Sequence, residues 1–529
     1  MLKALFLVFT GEEFLPHRDI WQYAMTPSED LFKLIKSLTP NEKGYFKKFS
    51  KIHVREGKNN YMMLFEAIDK QESYNEEAII HKFRNEQFVK QFPVAKNYLY
   101  NLILKALDVY HSGVDLEIGY LIHCSIILYD KAMLDPALKF LKKAEALAKE
   151  HHKLSYLNKI LNHELFILRR EESLRKPDLL DEHYRERVEN ADQLRYVIEY
   201  QHLNDLVAAQ YGKCYGPYRE ACFKEVQRLA QEPLMKKPPA SLSLYAQIEY
   251  HTARLLIHFI GREFEKAYAI SSMVVNELLK ENEHILPGRA KTTLLEHHCT
   301  ACMNTARYEE AQRIVDRLKQ LGAVNDPERL QLLQFISLQE LIICLHKGER
   351  DEAMKVIEVI EKELVPAEEV MDGDQKGALY HLVTLTYFVS GNYKEALKWV
   401  NRILNSRLSA YRGDIVSSFR LLELLIFFET DKTDIIHYKM ESFERAYKKD
   451  REHHRFELLV ASQLKKIFQV SHSGGTGAAA GKALGEINAW VQKDAYANEA
   501  FYRFDVRDWL ESKKSGKKLA AILSSKQIA

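Results

Sequence analysis

Apolar positions recur with a helical period along most of the chain, and the pattern is sharpest from Ala378 to Leu404. There Gly391-Asn392 interrupts one apolar run, and Ala396, Val400 and Ile403 then recur at i, i+4 and i+7, one face of a 3.6-residue period. The stretch predicts two amphipathic helices joined by a short turn. A single helical hairpin cannot bury such a face alone, so the unit has to repeat.

Aligning the small residue that opens each second helix exposes the repeat. Ala267, Ala311, Ala353 and Ala396 are 44, 42 and 43 residues apart, and Ala137 lies 130 residues before Ala267. Leu180 and Cys222 fill that interval in register, which makes seven units. Four and seven residues on come Leu141 and Ala144, Val226 and Leu229, Ser271 and Val274, Val315 and Leu318, Ile357 and Ile360, and Val400 and Ile403. The unit at Leu180 supplies Tyr184 and Arg187 instead and is the poor one.

The flanks are helical but off this period. After a helix from Leu31, Thr39-Pro40-Asn41-Glu42 has an N-cap hydroxyl, proline at the first helical position and an acid at N3. A helix follows from about Asn60, Asn75 caps another at Glu76, and Pro93 opens one reaching about Tyr110. Past Leu404 the period blurs, but helices are expected from Asp414 to Phe428, Thr433 to Lys448 and Arg451 to Val470. Ser471 to Gly481, SHSGGTGAAAG, reads as a flexible loop, and helices near 482–491 and 499–513 are expected to cap the open end.

The expected division is an extension over 1–24, a basic helical block over 25–112, repeats over 113–470, a Gly-rich loop over 471–481, and a cap with a basic tail over 482–529. The apolar run from Met1 to Thr10 is too short for a secretory signal and lacks a small-x-small cleavage site. Met25 is therefore the expected start.

Tyr380, Val383, Thr384, Tyr387, the run from Gly391 to Ala396, Val400 and Ile403 together resemble the tetratricopeptide repeat. The runs Ala306 to Ala311 and Gly261 to Ala267 look like weaker copies. The resemblance covers residues 113 to 405 and departs from the family in three ways. The period is near 43 residues instead of about 34, Thr384 stands where the family favours a small glycine, and no regular proline follows the second helix.

What the resemblance implies is an all-α protein, an α/α superhelix of stacked antiparallel helical hairpins with a concave face. In that register the concave positions include Tyr129, Tyr211, Phe259, Glu296, Met303, Leu338, Ile342, Leu345, His381, Leu385 and Phe388. Family members that clamp a peptide carboxylate carry Lys, Arg and Asn there, and that set is missing. A mostly apolar groove fits a protein or peptide partner offering an amphipathic helix or an apolar segment.

Composition adds limits. Of 529 residues 46% are hydrophobic and only 13 are proline, which fits folded helix throughout. The longest apolar clusters, such as Leu421 to Phe428, fall far short of the roughly 20 residues a membrane span requires. Six cysteines without disulfide-domain spacing read as free thiols in a reducing, cytoplasmic compartment.

The net charge of +2 hides a basic block of +5 over 31–111 and a tail of +4 over 510–529. This motivates an alternative function, a cytoplasmic transcriptional or signalling regulator that senses a peptide through the repeats. Lys96, Asn97, Tyr100, Asn101 and Lys105 would contact nucleic acid. The link from Phe83 to Pro93 is too long for a helix-turn-helix turn, which favours a structural cap.

Catalytic signals are absent. Gly481-Lys482 fails as a phosphate loop, because Thr476 and Ala483 stand at the first glycine and hydroxyl positions. Within His297-His298-Cys299-Thr300-Ala301-Cys302, the two cysteines lie one helical turn apart on a packing face, and a single Cys-x-x-Cys seldom closes a zinc site. No metal, cofactor or enzymatic activity is expected, and the expected function is a non-catalytic binding scaffold.

Overall fold

The computed structural model describes residues 29–52, 60–111, 113–170, 177–211, 219–323, 325–369, 371, 373–406, 413–448, 454–471, 474–493 and 505–526. The expectation about residues 1–24 and Met25 lies outside them. Among the described residues there are twenty-five α-helices and no strand. The chain divides into two compact units, residues 1–147 and 148–529.

The first unit starts with α1 (Asp30–Ser37), α2 (Pro40–Ile52), α3 (Asn60–Asp69), α4 (Glu76–Lys82) and α5 (Phe92–Tyr110). Its start signals form as the sequence predicts. Thr39 Oγ1 and Glu42 Oε2 lie 2.8 Å apart, and the Thr39 N–H donates to the same carboxylate at 2.7 Å, a closed capping box. Asn75 accepts from the Ala78 N–H at 2.9 Å. These helices bury Leu31, Ile35, Phe46, Phe65, Ile68 and Leu99 in one core.

α6 (Val114–Asp130) and most of α7 (Leu134–Glu150) also fall in the first unit. The two-unit division thus falls inside α7, within the stretch read as repeats. Sequence period registers where a pattern starts, while a boundary depends on which neighbours bury each face.

The second unit continues with α8 (Leu154–Arg170), α9 (Pro177–Tyr211), α10 (Arg219–Ala230), α11 (Pro233–Lys236), α12 (Leu244–Ile260) and α13 (Phe264–Met273). Then come α14 (Gly288–Asn304), α15 (Tyr308–Gln320), α16 (Asp326–Lys347), α17 (Arg350–Val359), α18 (Gly373–Val389), α19 (Tyr393–Leu404), α20 (Gly413–Glu429) and α21 (Thr433–Tyr447). α22 (Arg455–Ser471), α23 (Thr476–Lys493) and the helices Val506–Ser515 and Leu519–Lys526 complete it. From α12 to α21 each helix packs on its successor in the chain, and α16 also meets α18.

The hairpin turns share one geometry. Arg262, Ala306, Gly348, Gly391 and Asp431 all have positive φ, between 51° and 77°, and are spaced 44, 42, 43 and 40 residues apart; Ala132 in the first unit has the same conformation. Across each of these six positions the following N–H bonds back to a carbonyl five residues earlier, as in Asn392 to Tyr387 at 2.9 Å and Arg307 to Cys302 at 2.8 Å. This is the left-handed helix stop.

Five residues after each left-handed position lies a fully buried residue, Ala137, Ala267, Ala311, Ala353, Ala396 and Ile436. The positions predicted four and seven residues further on, from Leu141 to Ile403, are buried too, except Tyr184 and Arg187 in the poor unit. The turn at Asp431 extends the spacing beyond Leu404, where sequence alone loses it because Ile436 replaces the small residue.

Leu180 stands three residues into α9, the offset that Ala267 has in α13 and Ala396 in α19, but α9 then runs on unbroken, 35 residues in all, to Tyr211. One expectation is corrected. Ser471 to Gly481 is not a loop throughout, because α23 starts at Thr476. Its alanines favour helix, and its glycines let a neighbour come close: a Cβ on Gly477 would lie 3.4 Å from the Lys514 carbonyl oxygen. Of the six cysteines, Cys222 is disulfide-bonded, which the expectation of six free thiols did not include.

Candidate functional site

The poor repeat at Leu180 coincides with an open cleft in the second unit. Along α9, Asp181, Tyr184, Val188, Glu189, Asp192 and Tyr196 line an open cleft of about 780 Å³. They recur at helical spacing on one face. The other face is anchored: His183 is buried with its Nε2 2.9 Å from the Leu161 carbonyl oxygen, and Asn190 donates to the Leu154 carbonyl oxygen at 3.2 Å.

The opposite wall is the segment carrying Pro239 and Ser241. Gln193 fixes it in place. Its side-chain oxygen accepts from the Ser243 N–H at 2.6 Å, and its amide donates to the Ser241 carbonyl oxygen at 3.2 Å.

Val188 is 60% exposed and Tyr184 41%. An arginine lies against each cleft tyrosine, Arg187 at 5.4 Å from the Tyr184 ring and Arg195 at 4.8 Å from the Tyr196 ring. Arg195 also pairs with Asp192 at 3.1 Å, and Arg169 donates to the Tyr184 hydroxyl at 2.8 Å. The cleft thus has apolar and aromatic anchors within a charged rim, and its lining contains neither histidine nor cysteine.

The predicted concave residues do not form one exposed face. Phe259, His381, Leu385 and Phe388 are buried, so their assignment to a groove is corrected. Phe388 packs on Tyr393 with ring centroids 5.7 Å apart, and His381 Nε2 lies 2.9 Å from Ser418 Oγ. Tyr393 opens α19 and Ser418 lies on α20, the next two helices of the chain. Tyr129, Glu296, Met303, Leu338, Ile342 and Leu345 are half-buried, and Tyr211 is exposed. Burial pushes the Glu296 carboxyl up to about 7.

The candidate nucleic-acid contacts are also redistributed. Lys96 is buried, with its ammonium 2.6 Å from Glu76 and 5.4 Å from the Phe92 ring. Buried and paired with the partly exposed Glu76 carboxylate, it does not present its charge to a phosphate, so that assignment is corrected. Asn101 donates to the Asn97 side chain at 3.1 Å, Tyr100 is half-buried, and Lys105 is exposed.

Cys299 and Cys302 are both fully buried. Burial pushes the Cys302 thiol up to about 12, with Glu310 adding to the effect and Arg307 opposing it. A thiol so far from ionising is no nucleophile at neutral pH.

Sequence reasoning missed the α9 cleft because it looked for a face that every repeat shares. The available signal was the failure at Leu180, where Tyr184 and Arg187 stand in place of small or apolar residues. The chain matches no family model, no curated protein and no solved structure.

Proposed function

We propose that the chain is a non-catalytic protein-binding scaffold, built as a stack of tetratricopeptide-like hairpins and engaging its partner at the open cleft along α9. The observation that carries this reading is Val188, 60% exposed between Tyr184 and Tyr196 on one helix face. Contiguous apolar surface left open on a folded domain marks interaction sites. Aromatic anchors ringed by charge have the anatomy of a protein interface.

Support for the stack comes from the shared left-handed turn at 40- to 44-residue spacing and from the packing of each helix on its successor. Such stacking buries the flanks of each unit on its neighbours and leaves an outer surface free to specify a ligand. The partner is a protein segment, an amphipathic helix or an apolar stretch, laid along α9.

A cytoplasmic location is part of the proposal. Free Cys124, Cys299, Cys302 and Cys344 fit a reducing compartment, while the disulfide at Cys222 weighs against it.

The test is a photo-crosslinking amino acid placed at Val188 in cells of the native host. Tyr438, which is 65% exposed on α21, serves as the control position. A discrete crosslinked protein at 188 and not at 438 supports the cleft. Equal patterns at both positions, or a product removed by nuclease, overturn it.

A further inference from the structure

The loop between α14 and α15 brings together three side chains whose proximity the sequence does not announce. His298 and Cys302 are four residues apart, so they share one face of α14. Glu310 lies in the first turn of α15. Their ligating atoms, an imidazole nitrogen, a thiol sulfur and a carboxylate oxygen, all lie within 4.8 Å of one another.

The outer atoms of this group are held as well. His298 Nε2 is 3.1 Å from Glu310 Oε1, while its Nδ1 is 2.9 Å from Ser271 Oγ on α13. The other Glu310 oxygen accepts from the Tyr268 hydroxyl at 2.9 Å. Thus one atom of the imidazole and one of the carboxylate point inward, and their second atoms are fixed from behind. Metal-binding histidines and carboxylates are typically oriented in this way.

We infer that His298, Cys302 and Glu310 form a binding site for a divalent transition-metal ion, zinc by the ligand chemistry, with Ser271 and Tyr268 orienting two of the ligands. One nitrogen, one sulfur and one oxygen donor make a mixed set that zinc accepts. Tetrahedral coordination at zinc bond lengths sets ligand atoms about 3.3–3.6 Å apart. The nitrogen and oxygen, at 3.1 Å, stand slightly closer than that, and the sulfur lies within 4.8 Å of both, so binding requires a modest spreading of the three side chains.

The thiol proton leaves to solvent as the zinc–sulfur bond forms, and water takes the fourth position. Entry is from the Glu310 side, where that side chain is 28% exposed while His298 is 3% exposed. Bound there, the ion clips α14 to α15 across their turn.

The test uses the full chain, stripped with chelator, mixed with zinc chloride, passed through gel filtration and assayed by elemental analysis. Cobalt chloride is titrated in parallel, because a thiolate-to-cobalt charge-transfer band reports the sulfur ligand directly. The expected result is one zinc per chain, a thermal midpoint raised by added zinc, and a thiolate–cobalt band.

Cys302→Ala and Glu310→Gln lose binding by at least tenfold, Ser271→Ala weakens it by about 10- to 100-fold, and Cys299→Ser behaves as wild type. Far-UV circular dichroism checks that each variant is folded, and the wild-type cobalt spectrum stands independently of the variants. The inference is overturned if the stripped wild type retains no metal. It is equally overturned if the band survives in Cys302→Ala and disappears in Cys299→Ser.

Discussion

Trp509 donates its indole N–H to Glu429 at 2.6 Å, joining two residues 80 positions apart. Trp509 is buried, and the Glu429 carboxylate also takes the Lys513 ammonium at 2.7 Å and the Tyr393 hydroxyl at 3.3 Å. One side chain thus fastens the helix Val506–Ser515 to α20 and α19. Glu429→Ala leaves a buried indole donor and a lysine without their acceptor, at a cost of about 2–3 kcal/mol. Urea unfolding followed by tryptophan fluorescence reads it, with a smaller loss for Glu429→Gln. An unchanged midpoint in Glu429→Ala would show that packing alone holds the helix.

Gly391 adopts φ +77°, and a Cβ placed there meets nothing within 4 Å. Gly391→Ala is therefore penalised through the backbone alone, by about 1 kcal/mol. Ala306 holds the same conformation at φ 57°. Ala306→Gly relieves comparable strain but loosens the unfolded chain, so its stability is expected within about 0.5 kcal/mol of wild type. Thermal melts of the two variants separate turn strain from packing.

Phe388→Asp and Val188→Asp are expected to fail differently. At Phe388, 2% exposed, the new carboxylate would be buried without a partner, costing more than about 4 kcal/mol and unfolding the α18–α19 region. At Val188 the change faces solvent and alters stability by no more than about 0.5 kcal/mol. Only Val188→Asp should yield a folded protein that has lost its partner, as measured by circular dichroism beside the crosslinking assay.

His251 sets a pH dependence. Burial, helped by Arg254, pulls its pKa down to about 4, below the unfolded value of about 6.5. Between these values the unfolded chain binds a proton that the folded chain does not. Stability therefore falls as pH drops from about 6.5 to 4 and levels off below that. After allowance for solvent screening the contribution is about 1–2 kcal/mol. Urea midpoints at pH 7 and pH 5 should differ less in His251→Asn than in wild type, because other histidines contribute equally to both proteins.

Helices, their start signals and the buried stripe of each second helix were legible because they rest on local spacing. Thr39 with Glu42, Asn75 with Ala78, and the series from Ala137 to Ala396 need only residues within a turn or two of one another. The candidate surfaces were less legible. Phe388 and Val188 are both apolar residues on helices, and nothing within a few residues of either tells which one a neighbouring helix will cover.

The sequence by itself determined an all-α chain, most helix ends and a period near 43 residues, since these follow from backbone hydrogen bonding and side-chain periodicity within single hairpins. Tertiary structure decided that Lys96 pairs with Glu76, that α9 runs unbroken from Pro177 to Tyr211 and leaves a face open, and that the ligating atoms of Cys302, His298 and Glu310 come within 4.8 Å of one another. Each of these depends on which distant element displaces water from a side chain, and that is a property of packing between helices, beyond the pattern within one.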